Sequence, residues 1–185
     1  ESRQVMDYLS VRYLVGKNRF AGLKPLGRAG VNPLFEDPTP LPKWFSARRA
    51  VAAGDLAGDF REAEAPGWNY ASDAFVADPA RAGDYAPRRV REVARTPQRL
   101  ELSASGRGRA LLVSSETAYP GWKAWVEGRP RALETVNHVF RGLCLDDGET
   151  QASLVYAPDS FRLGLFLGLL ALGFWAGGWV RRSLA

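Results

Sequence analysis

The sequence predicts a mainly β fold, a sandwich or jelly roll, followed by one C-terminal transmembrane helix. Three observations carry that expectation. From Ala86 onward, short runs of alternating apolar and polar residues recur between turn signals, about seven strands in about seventy residues, a count that suits a sandwich. Before that point prolines and glycines are dense, five prolines falling within residues 22–45, too many fixed φ angles for a helix. Finally, residues 163–180, LGLFLGLLALGFWAGGWV, run for about eighteen positions without a charge, which at about 1.5 Å per residue nearly spans a hydrocarbon core. A buried core helix usually carries a polar stripe, and this run has none.

At the N-terminus, residues 3–15 (RQVMDYLSVRYLV) predict a helical turn and then a strand in which Val11, Tyr13 and Val15 alternate with Arg12 and Leu14. Residues 22–45 predict surface loops and short extended pieces. The Ala-rich stretch 52–69 has room for one short helix, and 75–85 (FVADPARAGDY) reads as loop. Residues 1–85 are therefore expected to form an N-terminal part, 86–161 the sandwich core and 162–182 the membrane helix.

The first sandwich strand falls at 88–95. In 99–105, Leu100, Leu102 and Ala104 share one face, and Gly106-Arg107-Gly108 turns the chain into a mostly buried strand at 109–115. Residues 118–130, AYPGWKAWVEGRP, come next, with two of the chain's six tryptophans. Pro120 fixes φ and Gly121 tolerates a positive one, so Tyr119-Pro120-Gly121 is the corner that aims the strand 122–127. In that strand Trp122, Ala124 and Val126 alternate with Lys123, Trp125 and Glu127, which sends the two tryptophans to opposite faces. Trp122 is expected to fill the core. Trp125 is a candidate contact for a ligand or partner, the alternative being packing against a neighbouring loop. After a turn at Glu127-Gly128-Arg129-Pro130 and a strand at 131–135, residues 139–145 and 150–156 are expected to pair as a hairpin through Asp146-Asp147-Gly148.

Composition narrows the function classes. A net charge of +5 and a pI near 9.7 suit anionic partners, but 20 acidic residues are interspersed along the chain. Arg-Arg pairs at 48–49, 88–89 and 181–182 stand alone, with no nucleic-acid-binding motif around them, so no nucleic acid is expected. One Cys144 and one His138 supply neither an internal disulfide nor a Cys/His zinc site, and no cofactor or metal is expected. The chain begins at Glu1 with nothing that resembles a signal peptide and is expected to be part of a longer protein. Arg181 and Arg182 close the apolar run, with Trp175 and Trp179 near that end, which predicts a cytoplasmic C-terminus and residues 1–161 outside; Arg162 at the other boundary weakens the asymmetry.

The chemistry-bearing residues do not assemble into an active site by sequence. Asp146 and Asp147 sit in a predicted turn, where Asp is favoured for backbone reasons. His138 follows Asn137 with no nucleophile beside it and reads as a loop or core histidine. Ser114, Ser115 and Cys144 lack a nucleophile elbow, and the glycines at 22–30, 106 and 108 precede no helix that would make a phosphate loop. No catalytic residue is assigned.

Three segments in order, SSETAYPGWKAWVEGRP, NHVFRGLCLDDGE and LVYAPDSFRLGL, the last leading into the apolar helix, resemble the C-terminal part of the bacterial YfhO family of multi-span membrane proteins. The residues carrying the resemblance are Tyr119, Pro120, Gly121 and Trp122, the acidic-Gly turn at Gly128, Asn137, Phe140 and Arg141, the Gly148 turn, and Tyr156, Pro158, Phe161 and Arg162 running on to Gly164. YLSVRYLVG and FEDPTPLPKWF extend it over nearly the whole chain. Glu127 stands where the family usually has Asp, and Ala157 fills a variable position. The resemblance implies part of a lipid-linked-sugar glycosyltransferase of the multi-span C class in the bacterial cytoplasmic membrane, acting on cell-envelope acceptors. Its partners would be the lipid bilayer, preceding transmembrane helices, a polyprenyl-phosphate-linked sugar and a glycan acceptor, with the catalytic acidic residues in those preceding helices. The alternative is a noncatalytic, membrane-tethered sandwich that binds carbohydrate or a partner, which makes Trp125, Trp68 and Tyr70 the contact residues. A third reading is a secreted domain whose apolar tail is a cleaved sorting signal.

Overall fold

The computed structural model describes residues 2–16 and 22–183, with side chains described over 5–16 and 22–175. In chain order, α1 (Ser2–Tyr8) leads into β1 (Tyr13–Val15), β2 (Lys24–Ala29) and β3 (Asn32–Glu36). β4 (Trp44–Ala47) and β5 (Arg49–Ala52) precede α2 (Leu56–Glu64); β6 (Asp73–Val76) and β7 (Gly83–Asp84) follow it. β8 (Arg89–Arg95), β9 (Arg99–Ser105), β10 (Ala110–Thr117), β11 (Trp122–Val126), β12 (Arg129–Arg131), β13 (Glu134–Val136), β14 (Phe140–Leu145) and β15 (Gln151–Tyr156) complete the strands, and α3 (Asp159–Ser183) ends the chain.

The fold is mainly β. A seven-stranded sheet in the order β4-β10-β14-β13-β6-β5-β7 curls into a half-barrel, a five-stranded sheet in the order β12-β11-β15-β9-β8 lies against it, and β1, β3 and β2 form a small third sheet. Among the described residues all pairings are antiparallel except β5 with β6, which α2 joins as a crossover. Between the two large sheets lie Trp44, Leu112, Leu143 and Leu145 from one and Leu100, Leu102, Val126 and Leu154 from the other. The opposite face of the curled sheet closes on Phe45, Ala47, Val76, Leu111, Val113, Val136 and Cys144, with Tyr8 of α1 in the same cluster. β10 is thus buried on both faces, as a continuous Leu-Leu-Val run requires. Ala63 of α2 covers a third cluster with Trp68 and Phe75.

Several expectations change at the level of pairing. The short extended pieces expected in residues 22–45 pair with one another and with the sheets: β2 and β3 form a hairpin around Gly30, whose φ is +63°, and Trp44 and Phe45 open β4 against β10. Residues 73–76 form a strand buried at every position, because both faces of β6 are covered. The expected hairpin between 139–145 and 150–156 does not form: β14 pairs with β10 and β13, while β15 pairs with β11 and β9. Asp146-Asp147-Gly148 is instead an arch between layers. Buried Arg88 holds the arch, donating to the carbonyls of Gly108, Asp146 and Glu149, while Arg131 pairs with Asp146 (3.1 Å) and with Glu149. The strand expected at 131–135 is likewise split. β12 ends at Arg131 in one sheet and β13 begins at Glu134 in the other, after a tight Glu127-Gly128 turn with both φ angles positive (48° and 75°).

The helix α3 is 25 residues long, and the apolar side chains described on it, from Phe161 to Trp175, are exposed. Among the described residues no helix is long and apolar enough to cross a membrane. The side chains of 176–180, and Arg181 and Arg182, lie outside those described.

Candidate functional site

One end of the molecule gathers most of the residues singled out by sequence. Trp122 starts β11 opposite Tyr156, the last residue of β15, with ring centroids 5.5 Å apart. The Arg141 guanidinium lies 4.2 Å from the Trp122 ring centroid, and its Nη2 donates to Glu116 Oε2 (2.7 Å), which also accepts from Trp44 Nε1 (3.3 Å). Arg95 Nη1 donates to the other carboxylate oxygen (2.6 Å). Burial raises the Glu116 carboxyl, but the two arginines and Trp44 more than offset it, and the net shift is below the usual value of 4.5. Burial lowers Arg141 against the opposing pull of Glu116. Its Nε and Nη1 are buried without a hydrogen-bond partner, so the Trp122 face is what the cation meets on that side.

Gly121 is required at this corner. Its φ is +103°, and a Cβ there would sit 2.9 Å from the Tyr156 ring and 3.0 Å from Pro158. Ala157 N donates to Gly121 O (2.7 Å), and Lys123 Nζ reaches Asp159 at 2.8 Å, so the start of α3 is laced to the corner. Tyr119 is exposed beside Tyr156, while Phe161 and Arg162 sit exposed on the first turn of α3. Glu127 accepts from the backbone N–H groups of Thr150 and Gln151, which lowers its carboxyl and fixes the Gly128 turn against the arch.

Beside this corner, a pocket of about 260 Å³ opens between α1, α2 and the turn 137–140. Asn137 and His138 both adopt positive φ (47° and 66°), a pair of uncommon conformations for residues with a Cβ. Two bonds hold them. Asn137 Oδ1 accepts from Phe75 N (2.8 Å), and His138 Nε2 lies 2.8 Å from Asp59 Oδ2. Asp59 is anchored in turn by Gly54 N, at 3.1 and 2.9 Å to its two oxygens. The remaining wall is apolar and aromatic: Tyr8 donates its hydroxyl to Ser114 O (2.9 Å) and packs edge-on against Phe140 at 5.1 Å. Burial pushes the Tyr8 hydroxyl well above its ordinary range, so it stays neutral.

The three aromatic candidates separate. Tyr70 lines the pocket, 5.6 Å from Tyr8. Trp68 is buried behind it, stacked on Phe75 at 4.2 Å. Trp125 is on the other sheet, half-buried on the outer face opposite Pro130 and Ser153, and borders a shallow hollow with Ala132 and Leu133. Asp146 and Asp147 serve the arch, Asp147 accepting from Gly108 N. Cys144 is buried, with its thiol pushed up by desolvation, and no group of three or more metal-ligating side chains occurs among the described residues. Sequence reasoning missed Asp59 and Glu116. The partner of His138 lies 79 positions upstream in a helix of ordinary composition, and no local signal marks it. Compared with family models, curated proteins and solved structures, the chain matches none.

Proposed function

We propose that the chain is the extracytoplasmic sandwich and last membrane helix of a YfhO-like integral membrane protein, one that transfers sugar from a polyprenyl-phosphate carrier to a cell-envelope acceptor. In this reading the catalytic carboxylates belong to preceding membrane helices, and the sandwich is held over the bilayer by α3. The observation that supports it is the state of α3. The helix leaves the sandwich directly after β15 with its apolar side chains exposed, Phe161 at 69 % and Phe174 at 82 %, and the charge-free stretch continues in sequence to Val180. A contiguous apolar surface of this kind calls for a non-aqueous environment. Part of the set carrying the family resemblance, Tyr119 to Trp122, Tyr156, Pro158, Phe161 and Arg162, gathers where that helix begins, which is where a family-specific junction is expected, whereas the Gly128 and Gly148 turns lie at the other end of β11 and β15.

Topology gives the test. In a Cys144→Ala background, single cysteines replace Ser105 and Ser183 of the full-length protein, and intact cells are treated with a membrane-impermeant maleimide. Labelling at 105 alone is expected; labelling at 183, or at neither position in cells but at both after lysis, overturns the proposed orientation.

A further inference from the structure

We propose that the pocket between α1, α2 and the turn 137–140 is a binding site for one apolar chain of a membrane amphiphile, whose polar end meets the His138–Asp59 pair. The proposal rests on the membrane reading of α3. The pocket's cavity of about 260 Å³ is walled by Val5, Leu9, Phe60, Ala63 and Phe140, side chains that offer an occupant dispersion contacts and almost no hydrogen bonds. Against that wall the fold sets the pair His138 Nε2 and Asp59 Oδ2 at 2.8 Å, beside Asn137, whose Nδ2 is buried without a hydrogen-bond partner. Two consecutive residues in the left-handed region hold the turn that carries it, an energetic cost that a plain surface turn avoids by using glycine. An apolar slot with its polar groups gathered at the Asn137-His138 turn matches a molecule with a linear apolar body and one polar end.

The rim identifies where such a molecule comes from. Leu9, Phe60 and Val139 are exposed at the mouth, Phe60 at 54 %. The mouth is continuous with the start of α3: Val139 O accepts from Ala118 N (2.8 Å), Tyr119 packs near Tyr156 (6.4 Å), and Gly121 ties to Ala157. A sandwich anchored by α3 therefore carries this mouth at its bilayer-facing end. The bilayer itself supplies the occupant, in preference to a second copy of this chain or a soluble small molecule.

The experiment is photo-cross-linking of the full chain in lipid nanodiscs containing a phospholipid with a diazirine at mid-chain, with cross-linked peptides mapped by mass spectrometry. Cross-links are expected on α3 and, separately, on the segments 5–9, 56–63 and 137–140. Phe60→Asp, at a solvent-exposed rim position compatible with folding, is expected to lower labelling of those three segments about tenfold while leaving α3 unchanged. Labelling of α3 without the pocket segments overturns the pocket proposal and leaves the membrane reading standing, which is also the result expected if a second copy closes the pocket. Pocket labelling that Phe60→Asp does not change assigns it to general surface contact and overturns the proposal. Absence of label on α3 overturns the membrane reading and this proposal with it.

Discussion

Glu116 is the residue on which the α3 end of the sandwich turns. Its carboxylate joins Arg95 of β8, Arg141 of β14 and Trp44 of β4, so one side chain ties the edge of one sheet to three strands of the other. Because its folded-state proton affinity is depressed, the stability it contributes is present above its ordinary value of 4.5 and is lost as pH falls through the lower folded value. Glu116→Gln is therefore expected to cost about 2 kcal/mol near neutral pH, where a charged acceptor is lost. Below about pH 4.5 the variant should flatten relative to the wild type, which is then losing the same contribution. Urea midpoints measured from pH 7 to pH 3 check both parts, and parallel pH profiles for the two proteins would remove Glu116 from this role. Arg141 shows why the aromatic partner matters. With Nε and Nη1 unpaired, its cation is compensated on one side by Glu116 and on the other by the Trp122 ring.

Trp122 and Trp125 carry the same lesson up to the strand. Alternation along β11 separates them, Trp122 toward the core between the sheets and Trp125 outward, which is what the sequence predicts for a strand with one covered face. Trp122→Ala is expected to cost about 3 kcal/mol through lost packing and the lost Arg141 contact. Trp125→Ala, on a half-buried outer face, is expected to cost no more than about 1 kcal/mol. Thermal unfolding of the two variants measures the difference, and equal losses would place both rings in the core. Local pattern was legible in β9, β11 and β15 because one face more open than the other leaves a period of two, and in β10 because burial on both faces leaves a continuous apolar run. Partner choice was not legible. The Asp-Gly turn at 147–148 states that the chain reverses, but the alternation of β15 fits an edge of either large sheet and leaves open which layer receives it, and the arch is held by Arg88, 58 residues from Asp146. β6 was hidden for the opposite reason: covered on both faces, DAFV shows no alternation, and Pro79 and Gly83 nearby suggest a loop. The pocket was illegible because its polar pair is assembled by a crossover helix and a turn far apart in the chain.

At the scale of the whole molecule, strands from both sides of position 85 share the curled sheet, so residues 44–84 and 110–145 stand or fall together. α3 adds no buried side chain among those described, and its tie to the sandwich through Lys123 and Asp159 is exposed on both partners, a contact worth little. A protein ending at residue 158 is therefore expected to unfold cooperatively within a few degrees of the full chain, whereas one ending at 149 lacks β15 and is expected to be unfolded, as far-ultraviolet circular dichroism and limited proteolysis will report. The placement of β15 has a consequence for synthesis. It follows every other described strand in sequence, yet it fits between β11 and β9. A chain emerging from its N-terminus must hold two unpaired strand edges open until residue 156 arrives, and such edges recruit other chains. The nascent sandwich therefore passes through a β-rich intermediate with a slot in its sheet, and whatever shields that slot during biogenesis sets the yield of folded sandwich before its final stability has any say.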